Sequence, residues 1–387
     1  MILSPRKPSS RASATRMRPL FDAAVVAILA GLGSVLAVAP GQAAPVHAGG
    51  VGSCGLCHIM HDAAAGEIAL DGTRPLLIAA SATDLCLTCH GPNGVFGLAP
   101  TLPPPERGAG NFTWLLEDNL NDAVGGAAAP IRGQAAGHSI ASPARGTNAD
   151  MRWDHAPGGT FPSALLGCTS CHDPHGTDSF RMLNGAGPVQ NGAINFLYPA
   201  PVAEGLDITN PAATESRTQH TAYRSGMTQW CANCHGYYHD EGSGAAFEHP
   251  VDGNLDGDVR ERYNRYEGDV SPGTGSSAMA YIPQVPFEGS GTSVTGTNGP
   301  TSSDRIMCLT CHRVHGSSAP ASGRWDFRVY RLADDGVISG SYPLPSPYTG
   351  VGQGQLCKKC HDESHEEGRA CVSCHGRTGA SPFPAIR

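Results

Sequence analysis

Lysine is nearly absent from this 387-residue chain: Lys7, Lys358 and Lys359 are the whole set. Charged residues of every kind make up 16% of it, aromatics 6% and apolar types only 40%. In their place stand 50 Gly and 31 Pro, so that about every fifth residue interrupts regular structure. Such a composition excludes an ordinary close-packed globule, in which about a third of the residues are helical around an apolar core. No nucleophilic triad, phosphate-binding loop or metalloprotease helix is found, and the paired acids Glu366 and Glu367 read as solvated. What the chain does have is 14 Cys. A flexible low-complexity linker has no use for them.

The N-terminal residues must be set aside before the charge is read. Arg6, Lys7, Arg11, Arg16 and Arg18 precede an apolar run from Ala23 to Ala39, which leads to Pro40-Gly41-Gln42-Ala43-Ala44. This is the basic, apolar and small-residue order of a secretory signal, with cleavage expected after Ala43 or Ala44. The run of 17 residues, with two glycines and no stop-transfer pattern after it, sits at the short edge of a membrane span. Residues 1–44 hold five of the 26 basic and one of the 34 acidic groups, so their removal leaves 21 against 33 and a net charge of −12. An acidic surface argues against nucleic acid as a partner.

The cysteines fall into seven C-x-x-C pairs: Cys54/Cys57, Cys86/Cys89, Cys168/Cys171, Cys231/Cys234, Cys308/Cys311, Cys357/Cys360 and Cys371/Cys374. Histidine follows each pair at once, as His58, His90, His172, His235, His312, His361 and His375. C-x-x-C-H is the attachment signature of c-type haem. Two thiols about one helical turn apart suit thioether bonds to one edge of the porphyrin, and the next imidazole then lies under the iron. Zinc sites and disulfide scaffolds also use paired cysteines, but neither requires the histidine. With 17 His in the chain, chance would place one after all seven pairs with a probability on the order of 10⁻¹⁰. Seven covalently attached haems are therefore expected, and covalent attachment outside the cytoplasm agrees with the signal sequence.

The chain resembles the multihaem c-type cytochromes, in particular those with doubled C-x-x-C-H arrangements in bacteria that respire extracellular or insoluble acceptors. The resemblance rests on Cys168-Thr-Ser-Cys-His-Asp-Pro-His-Gly176, Cys308-Leu-Thr-Cys-His-Arg-Val-His-Gly316 and Tyr263-Asn-Arg-Tyr-Glu-Gly-Asp269. It implies an electron carrier with closely stacked haems, each held by two histidines.

Ten histidines lie outside the motifs: His47, His61, His138, His155, His175, His220, His239, His249, His315 and His365. That is enough for every iron to take a second imidazole. His61, His175 and His315 follow a motif histidine by three positions, and His239 and His365 by four. On a helix these offsets put both rings on one face, whereas two axial ligands of one iron approach from opposite sides. The second histidine is thus better placed for a neighbouring haem, if the segment is helical. His138 and His249 look like the distal histidines that similar proteins place between motifs. His47, His155 and His220 carry a larger share of the alternative, a surface imidazole without metal. Methionine is the rival ligand, but Met60, Met151, Met182, Met227, Met279 and Met307 are scattered and read as packing. Ligation by two histidines keeps potentials low.

The motifs are irregularly spaced, the last two starting 14 residues apart, which places their haems within about 50 Å even for an extended chain. The stretches 91–110, 123–149, 185–212 and 270–303 are rich in loop-forming residues and read as wraps around haem edges. Residues 111–122 suggest a short helix capped by Asn111 or Thr113. The alternation of Trp325, Phe327 and Val329 with polar residues, followed by Asp335-Gly336 and Val337-Ile338, predicts a β-hairpin. The expected fold is mostly coil, with short α-helices around the haem motifs and a small β-hairpin, in one haem-packed domain over residues 45–387. About 343 residues shared among seven motifs explains the thin apolar content: porphyrin is the missing core.

The function expected is an exported electron carrier of the periplasm, outer surface or extracellular space. Its partners would be other redox proteins or extracellular acceptors, and it would self-associate into a filament if it follows some similar proteins, with His47 a possible ligand donor to an adjacent subunit. The alternative is a multihaem oxidoreductase of the nitrite-reducing or hydroxylamine-oxidising type with one open-coordinate haem. No C-x-x-C-K motif is present, so a lysine-ligated catalytic haem is not expected.

Overall fold

The computed structural model describes residues 54–58, 77–90, 104–116, 133–189, 194–206, 213–239, 251–268, 273–327, 329, 331–336, 342–348 and 356–361. All of them lie in the compact unit His47–Arg387. Among the described residues no helix is long and apolar enough to cross a membrane.

Regular structure is sparse and gathers at the cysteine motifs, because C-x-x-C needs a helical turn to bring its sulfurs to one side. Ala82–His90 and Met227–His235 are nine-residue helices that each end on a motif histidine. Cys168–Cys171 and Cys308–Cys311 are single turns, and Cys54–Leu56 and Leu356–Lys359 are 3₁₀ turns. The Gly257–Arg265 helix carries no motif; it is capped by Asp256, whose side chain accepts from the Val259 amide. There are two small antiparallel sheets: β1 (Gly187–Val189) with β2 (Ile194–Phe196), and β3 (Val202–Glu204) with β4 (Ala222–Ser225). The rest of the described chain is the four-residue helix Gly133–Ala136, short 3₁₀ turns and coil, as the Gly and Pro content predicts.

Apolar side chains cluster against the motif sulfurs instead of forming one continuous core. Trp325, Tyr263, Tyr281, Ile282, Phe287 and Leu356 pack together with Cys311, Cys357 and Cys360 against them. A second cluster sets Leu183, Val189, Phe196 and Trp230 beside Cys171, Cys231 and Cys234. Met227 and Met307 are buried with Tyr223 and Leu309, which makes them packing residues.

Two expectations are corrected. The hairpin predicted over Trp325–Ile338 does not form in the described residues: Leu332–Asp334 is a 3₁₀ turn, and 337–338 lie outside those described. The alternation that suggested a strand requires Arg324 and Asp326 to face solvent, yet both are buried beside Trp325. The Arg324 guanidinium turns inward and donates to the carbonyls of Leu309 (2.5 Å), Pro283 (3.0 Å) and Gly108 (3.1 Å). The Asp335 carboxylate accepts from the Asp326 and Leu344 amides, both at 2.6 Å. Polar atoms inside a coil do the ordering that a strand ladder would have done. Where a helix was expected over 111–122, the structure has a shorter 3₁₀ turn, Phe112–Leu116, with Asn111 Oδ1 accepting from the Thr113 amide at 2.8 Å; residues 117–122 lie outside those described.

Candidate functional site

The helical assumption made for the doubled histidines does not hold, and the reason is local. His172 (φ −116°, ψ 139°) and His312 (φ −113°, ψ 160°) leave their helical turns in extended backbone. His175 and His315 therefore do not share a helix face with the motif histidines before them. Each instead meets the motif histidine of another segment. The His58 and His175 rings lie 6.3 Å apart centre to centre, His172 and His315 also 6.3 Å, and His235 and His138 6.0 Å. Two imidazoles on one metal, each bonded at about 2.0 Å with its ring centre about 1.15 Å behind the bonding nitrogen, stand about 6.3 Å apart. The three pairs span the distance that an iron with two histidine ligands requires.

Hydrogen bonds orient several of these rings and that of His312. His172 Nδ1 donates to the Arg181 carbonyl at 2.9 Å, His235 Nδ1 to Pro157 at 2.7 Å, His312 Nδ1 to Ala321 at 3.1 Å and His138 Nδ1 to Val314 at 2.5 Å. His175 Nδ1 lies 3.2 Å from the Asp173 carboxylate. A ring whose Nδ1 carries the proton keeps its lone pair on Nε2, the nitrogen left for a metal. Burial also favours neutral rings: it lowers the pKa of His138, His172 and His312, pulls His235 down to about 4 and pulls His315 down to about 3. Neighbouring imidazoles add to the effect at His235 and His315.

Successive motifs approach one another through their cysteines. Cys86 contacts Cys168, and Cys231 contacts Cys308. Cys171 interacts with Cys234, and Cys311 with Cys360. The second to sixth motifs thus follow one another in space in their order along the chain. Burial pushes the Cys171 and Cys311 thiols up to about 12 and the Cys234 and Cys360 thiols up to about 11. These surroundings suit an uncharged sulfur, as a thioether is. Among the described residues no three His, Cys, Asp or Glu side chains converge as a zinc site would require.

Cys57 and Cys89, both expected to hold haem, stand outside the series of sulfur contacts that runs from Cys86 to Cys360. Cys89 is exposed near the end of the Ala82–His90 helix, whose buried side is formed by Thr83 and Leu87. The sulfur that this motif turns toward its neighbour is that of Cys86, three residues earlier. Cys57 is half-buried just after the Cys54–Leu56 turn, and its backbone, not its sulfur, ties the first motif down: the Cys57 carbonyl accepts from the Ile78 amide at 3.0 Å. Haem attachment at Cys57 and Cys89 therefore rests on their place in C-x-x-C-H and not on packing.

Three features that position the site were not read from the sequence. The residue before the second cysteine anchors its motif. Ser170 Oγ accepts from the Gly167 amide, Thr310 Oγ1 accepts from the Met307 amide, and Asn233 Oδ1 accepts from the amides of Leu197 and Tyr198. Lys359 does the same for the sixth motif, reaching three backbone carbonyls. The signal was present as a polar residue at that place in six of the seven motifs, Leu56 being the exception. Next, Gly110, Gly137 and Gly316 let three segments meet in backbone contact. A Cβ on Gly137 would lie 2.3 Å from the His315 carbonyl oxygen, so only glycine lets His138 and His315 approach as they do. Third, His220 is neither a surface residue nor placed as a ligand. It is 1% exposed, with Nδ1 3.0 Å from the Thr221 carbonyl, Nε2 2.9 Å from that of Gly296, and its ring stacked 3.8 Å from Tyr281.

The other candidates divide by position. His155 is exposed beside Asp154, at 2.9 Å. His239 packs on Tyr198 at 5.6 Å and lies 3.6 Å from Asp252, with no imidazole opposite it among the described residues. His90, His312 and His361 are described but enter none of the three pairs. His47, His61, His249, His365 and the seventh motif (Cys371, Cys374, His375) lie outside the described residues, as does the Cys54 side chain.

No protein-family model matches the chain. It is 28% identical over 429 aligned residues to the C-type cytochrome OmcS of Geobacter sulfurreducens, covering 85% of this chain and 97% of that protein. Its fold is similar to that of OmcS nanowires from Geobacter sulfurreducens determined by cryo-EM, with a TM-score of 0.64 and 25% identity, over 81% of this chain and 99% of the other. A second structure, the outer membrane cytochrome S filament of the same organism, gives a TM-score of 0.62 at 24% identity over the same shares. Attachment motifs alone leave open what the haems are for; motifs, paired imidazoles and a likeness that runs nearly the whole length of a cytochrome converge, and the chain is a c-type cytochrome for electron transfer.

Proposed function

We propose that this chain is an exported seven-haem cytochrome that passes electrons along haems arranged in the order of their motifs, at the outer surface or in the extracellular space. The observation that carries the reading is the pairing of imidazoles from different motifs. His58 with His175, His172 with His315 and His235 with His138 each span one iron site, and the pairs join segments that are not neighbours along the chain: the first motif to the third, the third to the fifth, and the fourth to the stretch before the third. Haem c supplies an iron that changes between ferric and ferrous states without bond making or breaking in a substrate. The residues do the rest: the cysteines, Cys57 and Cys89 among them, fix the cofactor covalently, the Nδ1 hydrogen bonds of His138, His172 and His235 leave their Nε2 atoms for iron, and the sulfur contacts keep neighbouring sites close enough for tunnelling. A fixed six-coordinate iron has no place for a substrate, so the protein is an electron carrier and not an enzyme.

The remaining proximal ligands are His90, His312, His361 and His375, and His61, His239, His249 and His365 supply one further imidazole for each. Self-association into a filament follows from the likeness to OmcS, which forms nanowires, with extracellular acceptors or other redox proteins at the ends of the path. The test is a pyridine haemochrome assay with low-temperature EPR and CO exposure of the purified protein. Seven haems per chain, low-spin ferric signals alone and no CO binding are expected. A high-spin signal with CO binding would instead indicate an open iron and the oxidoreductase alternative.

A further inference from the structure

Five non-glycine residues among those described have left-handed backbone, and four of them form two consecutive pairs: Arg181-Met182 (φ 52° and 56°) and Ala321-Ser322 (both 56°). Single left-handed residues are ordinary in turns, but two in succession each bring a Cβ against a carbonyl oxygen, and such strain persists only where the surroundings impose it. Both pairs fall at the same place, nine and ten residues after a motif histidine, His172 or His312. In each, the first carbonyl accepts from the Nδ1 of that histidine, at 2.9 Å for Arg181 and 3.1 Å for Ala321. The second accepts from the amide of the residue after it: Asp173 to Met182 and Arg313 to Ser322, both at 2.8 Å. The next link repeats as well, the Asn184 amide donating to the Cys171 carbonyl at 2.9 Å and the Arg324 amide to that of Cys311 at 2.7 Å.

Successive carbonyls of an extended strand point to opposite sides, whereas helical backbone of either hand aligns them. The left-handed pair therefore lets one segment give a carbonyl to the imidazole and the next carbonyl to the backbone behind it. Side-chain chemistry does not explain the pairs, since Arg, Met, Ala and Ser have none in common; Arg181 is exposed and Met182 only half-buried. Arg181 Nη2 donates to the Leu206 carbonyl at 2.7 Å and pins its turn from the other side.

We propose that Arg181 and Met182 are positioning residues of the third iron site, their left-handed turn fixing the plane of the His172 ring opposite His315. The proposal rests on the haem-chain reading above. These two rings stand with their planes 56° apart, against 13° for His58 and His175. An imidazole turns about its Cβ–Cγ bond unless its second nitrogen is held, and a hydrogen bond at that nitrogen sets the orientation of a ligating ring. The Arg181 carbonyl does so here, and the turn holds that carbonyl in place.

The test compares haem-loaded full chains carrying Met182→Gly, Met182→Asn, Met182→Val and Arg181→Val. Ferric EPR reads the angle between axial ring planes, and hydrogen exchange in the reduced, ¹⁵N-histidine-labelled protein reads the Nδ1–H bond. Gly and Asn enter left-handed backbone readily and Val resists it most. Met182→Gly and Met182→Asn should keep the wild-type signals. Each Val variant should move the same single low-spin signal and speed exchange of one imidazole proton about tenfold or more. Packing by the Met182 side chain would give the opposite order, since Gly removes most of it. Val variants with full haem content and wild-type spectra and exchange overturn the proposal, as does a Met182→Gly shift equal to that of Met182→Val. If one Val variant fails to load haem, the other decides; if neither loads, Met182→Gly decides, wild-type signals supporting the proposal and a moved signal contradicting it. His172→Ala separates the two readings: loss of one low-spin signal is expected, and an unchanged spectrum would refute ligation by His172 while the exchange measurement still decided whether the turn holds its ring.

Discussion

The His175 ring faces that of His58 at 6.3 Å with the two planes 13° apart, although a whole motif separates them in the chain. The last histidine of Cys168-Thr-Ser-Cys-His-Asp-Pro-His thus lies opposite the motif histidine of the first motif, and the proposed function assigns it to the iron there. His175→Ala should open one iron: about one haem per chain becomes high-spin and binds CO, with haem content unchanged. His175→Met should instead keep that iron low-spin at a higher potential, since thioether ligation raises it. Visible and EPR spectra of the two variants decide between these outcomes and an unaffected first site.

His220 supplies the contrast. Its ring nitrogens both face carbonyls and its ring stacks on Tyr281, so its removal disturbs packing and not ligation. His220→Ala should leave every haem low-spin and lower unfolding stability by about 2–4 kcal/mol, the loss of buried hydrogen bonds and ring packing. Denaturation followed by circular dichroism, with EPR on the same sample, separates the two readouts.

The glycine junction predicts a wider effect from a smaller change. Gly137→Ala places a methyl group against the His315 carbonyl and so displaces His138 and His315 together. The overpacking should cost about 1–3 kcal/mol. Two haems, those of His235 and His172, should show altered spectra, while the haem of His58 stays unchanged.

Asp335 gives a pH dependence. Burial pushes its carboxyl up to about 6, above the unfolded carboxylate range, with Asp326 contributing in the same direction. A raised pKa means that the folded form binds the proton more tightly, so this stabilisation is complete below about pH 4 and is lost as pH rises through about 6. The span corresponds to at most about 3 kcal/mol. Hydrogen exchange of the Asp326 and Leu344 amides, which Asp335 accepts, should be faster at pH 8 than at pH 5 beyond the intrinsic rate, and Asp335→Asn should remove that excess.

The cofactor class, a covalently bound haem c, was legible in the sequence because C-x-x-C-H is local chemistry with nothing left to the fold. Seven identical motifs did not show that their sulfurs would differ in surroundings, Cys89 lying exposed and Cys57 half-buried while Cys171 and Cys311 are packed between motifs. The partner of each imidazole was not legible either, since it depends on where distant segments meet. Spacing placed His175 and His315 near neighbouring haems for a reason that fails, a shared helix, yet both pair across motifs because the chain turns extended at His172 and His312. The hairpin at Trp325 was misplaced because alternation takes a charged residue to face water, and Arg324 is held inside by three carbonyls. His220 was read as a surface or ligating residue because nothing in Gln-His-Thr marks a ring destined to bridge two loops. Lys359 was noticed for its rarity, but its role came into view only with the three carbonyls that it reaches.

One density map tests the central claim most directly: cryo-EM of the haem-loaded protein at a resolution that shows axial ligands. The account predicts iron density midway between His58 and His175, between His172 and His315 and between His235 and His138, with the irons of the second to sixth motifs succeeding one another in chain order. A map in which His175 or His315 binds the iron of its own motif, or in which one of these three irons has only a single imidazole, would contradict it.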